Sequence, residues 1–158
     1  MRKLKLYLET SVWNFMFADD APEKKRATIQ LFAEIQQGKY EIYISETVDL
    51  EVSEANDEKR SKLYNLIEQH QPVFLELSEE VYDLASLYVA NGVLQQKHFH
   101  DLLHLSFASV YGLNALVSWN LKHLVKMKTQ VLANASNQAQ GYREVQIRTP
   151  EEVIDSAD

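Results

Sequence analysis

Three carboxylates and one side-chain amide stand beside mostly apolar neighbours in this chain. Glu9 ends a short apolar run, Glu51 and Asp101 lie in segments with helical periodicity, and Asn120 follows the stretch Leu-Val-Ser-Trp. Carboxylates that a fold brings together repel each other by roughly 4 kcal/mol at ~4 Å in a protein-like dielectric. They persist by taking up protons or a divalent cation. The pattern predicts that these four residues bind Mg2+ or Mn2+, and it favours hydrolysis of a phosphodiester.

Asp101 is the strongest of these candidates. Its surroundings from Phe99 to Ala108 are so apolar that an unpaired carboxylate there would be costly. A different interpretation makes Asp101 an acid of the first helical turn, favoured by the helix dipole. Glu9 has a similar alternative as a solvated acid at a strand end. Glu51 is one of three acids in its segment, and helical spacing places it on a flank with apolar residues.

Neighbouring polar residues are candidates for supporting roles. Thr10 and Ser11 are expected to hold the oxygens of Glu9 or a water molecule. The remaining candidates for substrate or supporting contacts are Ser118, Lys122 and His123. Four lysines lie near Asp101 and Asn120 in the sequence: Lys97, Lys122, Lys126 and Lys128. Lys122 and Lys126, together with His123, are expected to contact phosphates at the mouth of the site, although a solvated basic face explains them equally well.

The histidines allow a rival hypothesis. His100 and His104 are four residues apart on one helical face, as zinc ligands often are, and Asp101 lies between them. The other histidines do not have ligand spacing on a second helix. We therefore favour a different interpretation, in which His104 is partly buried with its hydrogen bonds satisfied and His98 is a surface residue.

Size and composition set bounds on the protein. At 158 residues the chain is expected to form one domain, 1–158, with 46% hydrophobic and 25% charged residues. It has no cysteine, which excludes disulfides and thiolate metal sites and suits a cytoplasmic location. The apolar run near the N-terminus is short and broken by Glu9, so we expect neither a signal peptide nor a membrane span. The net charge of −7 argues against tight non-specific binding to duplexes and fits a small RNA target or a basic partner peptide.

Periodicity predicts strands that alternate with helices. The predicted strands are Leu4–Leu8, Tyr40–Ile44, Val73–Leu75, Ala115–Trp119 and Glu144–Ile147. The predicted helices begin near Asp20, Ser45, Asp57, Ser78, residue 98, Leu121 and Thr149. Asp20 and Ser45 are the expected N-caps of the first two helices, and the helix from Leu121 to about Gln140 is expected to be continuous or broken in its middle.

This alternation predicts an α/β fold with a largely parallel central sheet. Ligands of such folds bind beyond the carboxyl ends of the strands. Glu9 and Asn120 follow two of these ends, and Glu51 lies in a helix after a third. Distant parts of the sequence are thus expected to meet at one edge of the sheet.

Several segments resemble the PIN domain in order and spacing, over essentially the whole chain. They are Leu-Tyr-Leu-Glu-Thr-Ser-Val at 6–12, Ile-Ser before Glu51, His-Asp-Leu-Leu-His-Leu at 100–105 and Leu-Val-Ser-Trp-Asn-Leu-Lys-His-Leu at 116–124. The chain is most similar to the VapC-like toxins of type II toxin–antitoxin systems. The resemblance implies a Rossmann-like three-layer α/β/α sandwich and a ribonuclease that depends on Mg2+ or Mn2+. It also implies a homodimer and a cognate antitoxin whose C-terminal segment occupies the active-site groove.

Carried over position by position, the family's acids fall on Glu9, Glu51 and Asp101, and its fourth polar position falls on Asn120. In such a site a water molecule would cleave RNA to leave a 5′-phosphate and a 3′-hydroxyl. The family usually has Asp at the first position, and the extra methylene of Glu9 extends the reach by roughly 1.5 Å. The alternative is therefore a catalytically weakened PIN-like protein with an RNA-binding or regulatory role.

Overall fold

The central strand of the sheet, β1 (Leu4–Leu8), runs parallel to both of its neighbours. The computed structural model describes residues 2–155. Within this range the other strands are β2 (Tyr40–Ser45), β3 (Val73–Leu75), β4 (Ala115–Val117) and β5 (Gln146–Arg148). Their order is β3-β2-β1-β4-β5, and every neighbouring pair is parallel.

Helices connect the strands and cover the sheet. Within residues 2–155 they are α1 (Thr10–Asn14), α2 (Pro22–Gln36), α3 (Glu46–Ser53), α4 (Asp57–His70), α5 (Glu79–Ala90), α6 (Phe99–Val110), α7 (Met127–Gln140) and α8 (Pro150–Val153). Short 3-10 turns cover Phe15–Phe17 and Gln96–His98. Strands that alternate with helices in this way confirm the predicted α/β/α sandwich. None of these helices is both long enough and apolar enough to cross a membrane.

The strand order places a topological switch at the centre of the sheet. The chain proceeds outward from β1 through β2 to β3, and then returns to the other side of β1 to form β4 and β5. Loops that leave β1 and β4 therefore diverge, which opens a crevice at their carboxyl ends. This crevice is where the sequence places Glu9 and Asn120.

Capping residues explain most helix starts. Ser45 and Ser78 accept backbone N–H groups at the starts of α3 and α5, as their sequence positions predict. Thr149 forms a capping box with Glu152 at α8. The prediction for Asp20 was wrong, because the N-cap of α2 is Ala21 and makes no side-chain bond. Proline at the first helical position fixes the start of α2 without a cap.

The helix predicted from Leu121 begins later than expected. Residues 121–126 form turns, and α7 starts only at Met127. The backbone carbonyl of Asn120 accepts the N–H groups of both Leu124 and Val125, so the chain folds tightly around Asn120. The strand before it is also shorter than expected and ends at Val117, which leaves Ser118 and Trp119 in the loop.

The core lies on both faces of the sheet. The side chains of Leu6, Tyr7 and Leu8 at the centre are fully buried. Helix α6 is buried along its whole middle, from Leu102 to Ser109, because it packs against both the sheet and α5. Burial of this extent makes every polar group on α6 costly unless it is hydrogen-bonded.

Candidate metal centre at the carboxyl edge of the sheet

Glu9 connects β1 to α1 and caps the helix that it precedes. Its Oε2 accepts the backbone N–H of Ser11 at 3.2 Å, and the residue is only 6% exposed. Helix α1 was not predicted from the sequence. It turns the chain at the point where β1 leaves the sheet, and so holds Glu9 at the carboxyl edge.

Two serine hydroxyls hold the other oxygen of Glu9. The Oγ atoms of Ser11 and Ser118 donate to Oε1 at 2.5 and 2.6 Å. Each hydroxyl also accepts a backbone N–H, from Trp119 to Ser11 at 2.8 Å and from Asn120 to Ser118 at 2.9 Å. Because these N–H groups occupy acceptor positions, the single proton of each hydroxyl is directed at Glu9. Ser11 thus makes the predicted contact with Glu9, and Ser118, a candidate for supporting contacts, bonds the same oxygen.

Glu51 lies in the last turns of α3 and is anchored in the same way. Its Oε1 accepts from the hydroxyl of Thr10 and from Nε2 of His104, both at 2.6 Å. Its Oε2 accepts no hydrogen bond from residues 2–155. Thr10 was expected to hold Glu9, and the structure assigns its hydroxyl to Glu51 instead. Glu46 and Asp49, the other acids of α3, are exposed, as helical spacing predicted.

The two glutamates face each other across the crevice. One carboxylate oxygen from each, together with one ring nitrogen of His104, lie within 4.8 Å of one another. Burial by itself raises the pKa of Glu51, but the interactions with His104 and the hydrogen bond from Thr10 bring this pKa below its usual value. Two carboxylates at this separation repel by roughly 3–4 kcal/mol in a protein-like dielectric. The pair therefore concentrates negative potential at the open side of the crevice.

Asp101 adjoins this pair from the first turn of α6. Burial raises its pKa, and the charge of Glu9 raises it further. The favourable helix dipole is thus outweighed by desolvation and by the neighbouring carboxylates. Asp101 does not belong to the group whose ligand atoms lie within 4.8 Å of one another.

Asn120 makes the bond that ties Asp101 to the loop after β4. Its Nδ2 donates to Oδ2 of Asp101 at 3.3 Å, and its Oδ1 accepts the backbone N–H of His123 at 3.0 Å. These partners fix the orientation of the amide. The predicted direct contact between Asn120 and a cation would require its Oδ1 to leave the N–H of His123.

A basic surface flanks the loop that follows β4. The rings of His98 and His123 contact each other with centroids 3.9 Å apart and planes tilted by 34°. Burial lowers the pKa of His123, and His98, Lys122, Lys126 and Lys97 lower it further. We call these five residues the cationic strip. Its three lysines are exposed and form no ion pair within residues 2–155.

His104 has the satisfied hydrogen bonds that the sequence predicted, and it is more deeply buried than expected. It was expected to be partly buried and satisfied, and it is fully buried with both ring nitrogens hydrogen-bonded, to Glu51 and to Tyr7. The signal was its position three residues after Asp101, on the same side of α6. His100, its partner in the zinc hypothesis, is exposed. That hypothesis would require His104 to give up one of its two bonds.

Comparison with known proteins bears on the fold. Neither a protein-family model nor a curated protein matches the chain. One similar solved structure is the crystal structure of VapBC2 from Rickettsia felis bound to a DNA fragment from their promoter. The match to a chain of that structure has a TM-score of 0.56 at 18% identity, and covers 92% of this chain and 98% of the other. The likeness is one of fold, and the chain shares the three-layer α/β/α sandwich architecture with that structure.

Proposed function

We propose that this protein is a metal-dependent endoribonuclease and the toxin of a type II toxin–antitoxin pair. The observation that carries the proposal is the arrangement of Glu9 and Glu51. Each is held through one oxygen by donors from the protein and keeps the other oxygen free, or nearly so, at the switch point of a parallel sheet. The shared fold with a chain of the VapBC2 structure supports the same proposal.

The donor set fits a hard divalent cation. Mg2+ and Mn2+ prefer carboxylate, carbonyl and water oxygens as ligands. The carboxylates of this site supply such oxygens, and the chain has no cysteine that could supply a thiolate. We propose Glu9 and Glu51 as the principal ligands, with Asp101 and Asn120 as further ligands, directly or through water. The hydrogen bond that joins Asp101 on α6 to Asn120 after β4 supports the assignment of both residues to one site.

Surrounding residues would orient the reactants. When bound, the cation would lower the pKa of a water molecule and offset negative charge on the phosphate. Thr10, Ser11 and Ser118 hold the carboxylates in place. We propose that Lys122 and His123, which belong to the cationic strip, contact phosphates of the RNA strand. Attack of water on phosphorus would break the bond to the 3′-oxygen, which would leave and take up a proton, so the products would carry a 5′-phosphate and a 3′-hydroxyl.

Partners follow from the same proposal. A VapC-like toxin would pair with an antitoxin whose C-terminal segment enters the crevice, and would itself be a homodimer in the cytoplasm. Although the net charge is −7, three exposed lysines lie together on the cationic strip. This uneven charge favours short contacts with single-stranded RNA over broad binding to duplexes.

An RNA cleavage assay with Mn2+ or Mg2+ tests the proposal. We expect the wild-type protein to cut single-stranded RNA only when the cation is present, and Asp101→Asn to cut it far more slowly. Equal inactivity of both proteins, with RNA binding retained, would instead support the weakened RNA-binding or regulatory protein. In that case a large gain in rate for Glu9→Asp would identify the longer side chain as the cause.

A further inference from the structure

A chain of buried hydrogen bonds leads from the core of the sheet to Glu51. The hydroxyl of Tyr7 lies 2.6 Å from Oγ of Ser45 and 2.6 Å from Nδ1 of His104, and Nε2 of His104 lies 2.6 Å from Oε1 of Glu51. Tyr7, Ser45 and His104 are each 0% exposed. This hydrogen-bonded series therefore links β2, β1 and α6 out of contact with solvent, and it ends at the partly exposed Glu51 on α3.

The partners of His104 define which of its nitrogens carries the proton. A carboxylate oxygen only accepts, so the bond to Glu51 requires a proton on Nε2. Nδ1 of a neutral imidazole then accepts from the hydroxyl of Tyr7. Ser45 in turn accepts the backbone N–H of Thr47 at 3.1 Å and donates to Tyr7. One neutral arrangement thus satisfies every group in the chain, which a fully buried network requires.

This arrangement keeps His104 from acting as a metal ligand. A nitrogen that carries a proton has no lone pair for a cation, so Nε2 is unavailable while it donates to Glu51. The bond instead fixes Oε1 from the buried side, and Thr10 fixes the same oxygen from α1. With Oε1 held twice, Oε2 is the oxygen left for the crevice.

We infer that Tyr7 and His104 are positioning residues that present Oε2 of Glu51 to the cation. The inference rests on the proposed function, because it assigns a role in the same metal centre. Partners behind metal ligands commonly contribute 10- to 100-fold to metal affinity or activity. Here His104 is itself held by Tyr7 of the central strand. Loss of the Tyr7 hydroxyl should therefore alter the position of His104 and, through it, the orientation of the Glu51 carboxylate.

The test compares two buried tyrosines. Tyr7→Phe removes the hydroxyl that supports His104. Tyr88→Phe is the matched control, because Tyr88 is also 0% exposed and its hydroxyl bonds a serine, Ser109, and the side chain of Asn137. We expect both variants to melt a few degrees below wild type. Only Tyr7→Phe should weaken Mn2+ binding in calorimetry, by about tenfold, and lower kcat more than it raises KM.

Variants of His104 separate positioning from simple packing. His104→Leu should weaken Mn2+ binding at least as much as Tyr7→Phe, and His104→Gln should recover part of the loss because its amide still donates to Glu51. If His104→Leu does not fold, Tyr7→Phe and His104→Gln decide the matter. Unchanged Mn2+ affinity and kcat in the folded variants would overturn the positioning role while leaving the ribonuclease intact.

Nitrogen-15 NMR of the cation-free protein gives a readout that does not depend on activity. We expect the proton of His104 on Nε2 before and after Mg2+ is added. A proton on Nδ1, or loss of the Nε2 proton when Mg2+ or Zn2+ binds, would overturn the inference, and the second result would make His104 a ligand. Wild-type protein that binds Mn2+ and cleaves no RNA would refute the proposed function alone. Wild-type protein that binds no Mn2+ would refute both.

Discussion

Two regions of this protein bury glutamates, and they treat the carboxylates differently. At the amino edge of the sheet, Glu34 is 1% exposed, and both of its oxygens are occupied. The hydroxyl of Tyr40 donates to Oε1 at 2.7 Å, and Gln30 donates to Oε2 at 3.0 Å. The backbone N–H of Asp155 lies 3.2 Å from Oε2. Glu34 thereby fastens the end of the described chain to α2.

At the carboxyl edge, Glu9 and Glu51 each collect two strong donors on a single oxygen. Both edges satisfy the rule that buried polar groups are hydrogen-bonded. The difference is that Glu34 has donors on both oxygens, whereas Oε2 of Glu51 has no donor within residues 2–155 and Oε2 of Glu9 has only the 3.2 Å bond from the backbone of Ser11. Burial of an acid is therefore a weaker sign of function than an oxygen left open by otherwise strong anchoring.

The largest expected effect is on RNA cleavage, when a glutamate charge is removed at the carboxyl edge and compared with the same change at the amino edge. Glu9→Gln and Glu51→Gln should each lower RNA cleavage on the order of 100-fold or more, because each replaces a proposed ligand. Glu34→Gln should leave cleavage per folded molecule unchanged and lower the free energy of unfolding by about 1–3 kcal/mol. Cleavage assays and urea unfolding of the three variants measure both quantities. A large loss of activity in folded Glu34→Gln would remove the contrast between the edges.

A smaller effect is expected from the donors that hold Glu9. Ser118→Ala removes one of the two hydroxyls on Oε1 and should weaken Mn2+ binding by about tenfold. Ser106→Ala is a suitable control, because that buried hydroxyl on α6 donates to the backbone carbonyl of Val81, away from the carboxylates. Calorimetric titration with Mn2+ compares the two. Equal Mn2+ affinities of the two variants would mean that the Ser118 hydroxyl does not contribute to metal binding by Glu9.

A change on the cationic strip should be smaller still. Lys122→Gln should weaken RNA binding a few-fold and reduce the slope of log affinity against log salt by about 1. Lys3→Gln is the control, because Lys3 precedes β1 at the opposite edge of the sheet. Binding is measured in the Asp101→Asn background over a range of salt concentrations. The same salt slope in both variants would place the RNA elsewhere.

The smallest expected effect is a change in thermal stability when Asp101 is replaced by Asn in the absence of a divalent cation. The folded-state pKa of Asp101 is raised above 3.8, so the folded protein binds its proton more tightly than the unfolded chain does. The stability that this proton contributes is present at low pH and is lost as the pH rises through the raised pKa. With chelator present, Asp101→Asn should therefore melt above wild type at pH 7 and equal to it below pH 3.8.

Thermal unfolding at several pH values checks this sign. A difference of one kcal/mol corresponds to roughly 2–4 °C for a chain of this length. Added Mn2+ should reverse the order at pH 7, because only the wild type keeps the carboxylate. A variant that is less stable than wild type at neutral pH without metal would contradict the origin of the pKa shift.

The sequence predicts the strands that position the candidate ligands better than it predicts the hydrogen bonds that hold those ligands. Alternation of strands and helices is a local pattern, so the sheet and the strand-end positions of Glu9 and Asn120 follow from it. The partner of Thr10 does not, because α1 directs its hydroxyl to a residue 41 positions away. The partner of His104 could not be predicted for a related reason. The sequence around a histidine in an apolar helix is the same whether its partner is a backbone carbonyl or a carboxylate that binds metal. The turns at 121–126 depend on backbone bonds to Asn120 that helical periodicity does not reveal.

Anomalous diffraction from crystals soaked in Mn2+ tests the metal centre most directly. We predict one strong peak, or two adjacent peaks, between the free oxygens of Glu9 and Glu51, and no peak at Glu34. The same soak of Glu51→Gln crystals should weaken or abolish the peak. Saturating Mn2+ that leaves no density between Glu9 and Glu51, or that binds at Glu34 instead, would contradict the account.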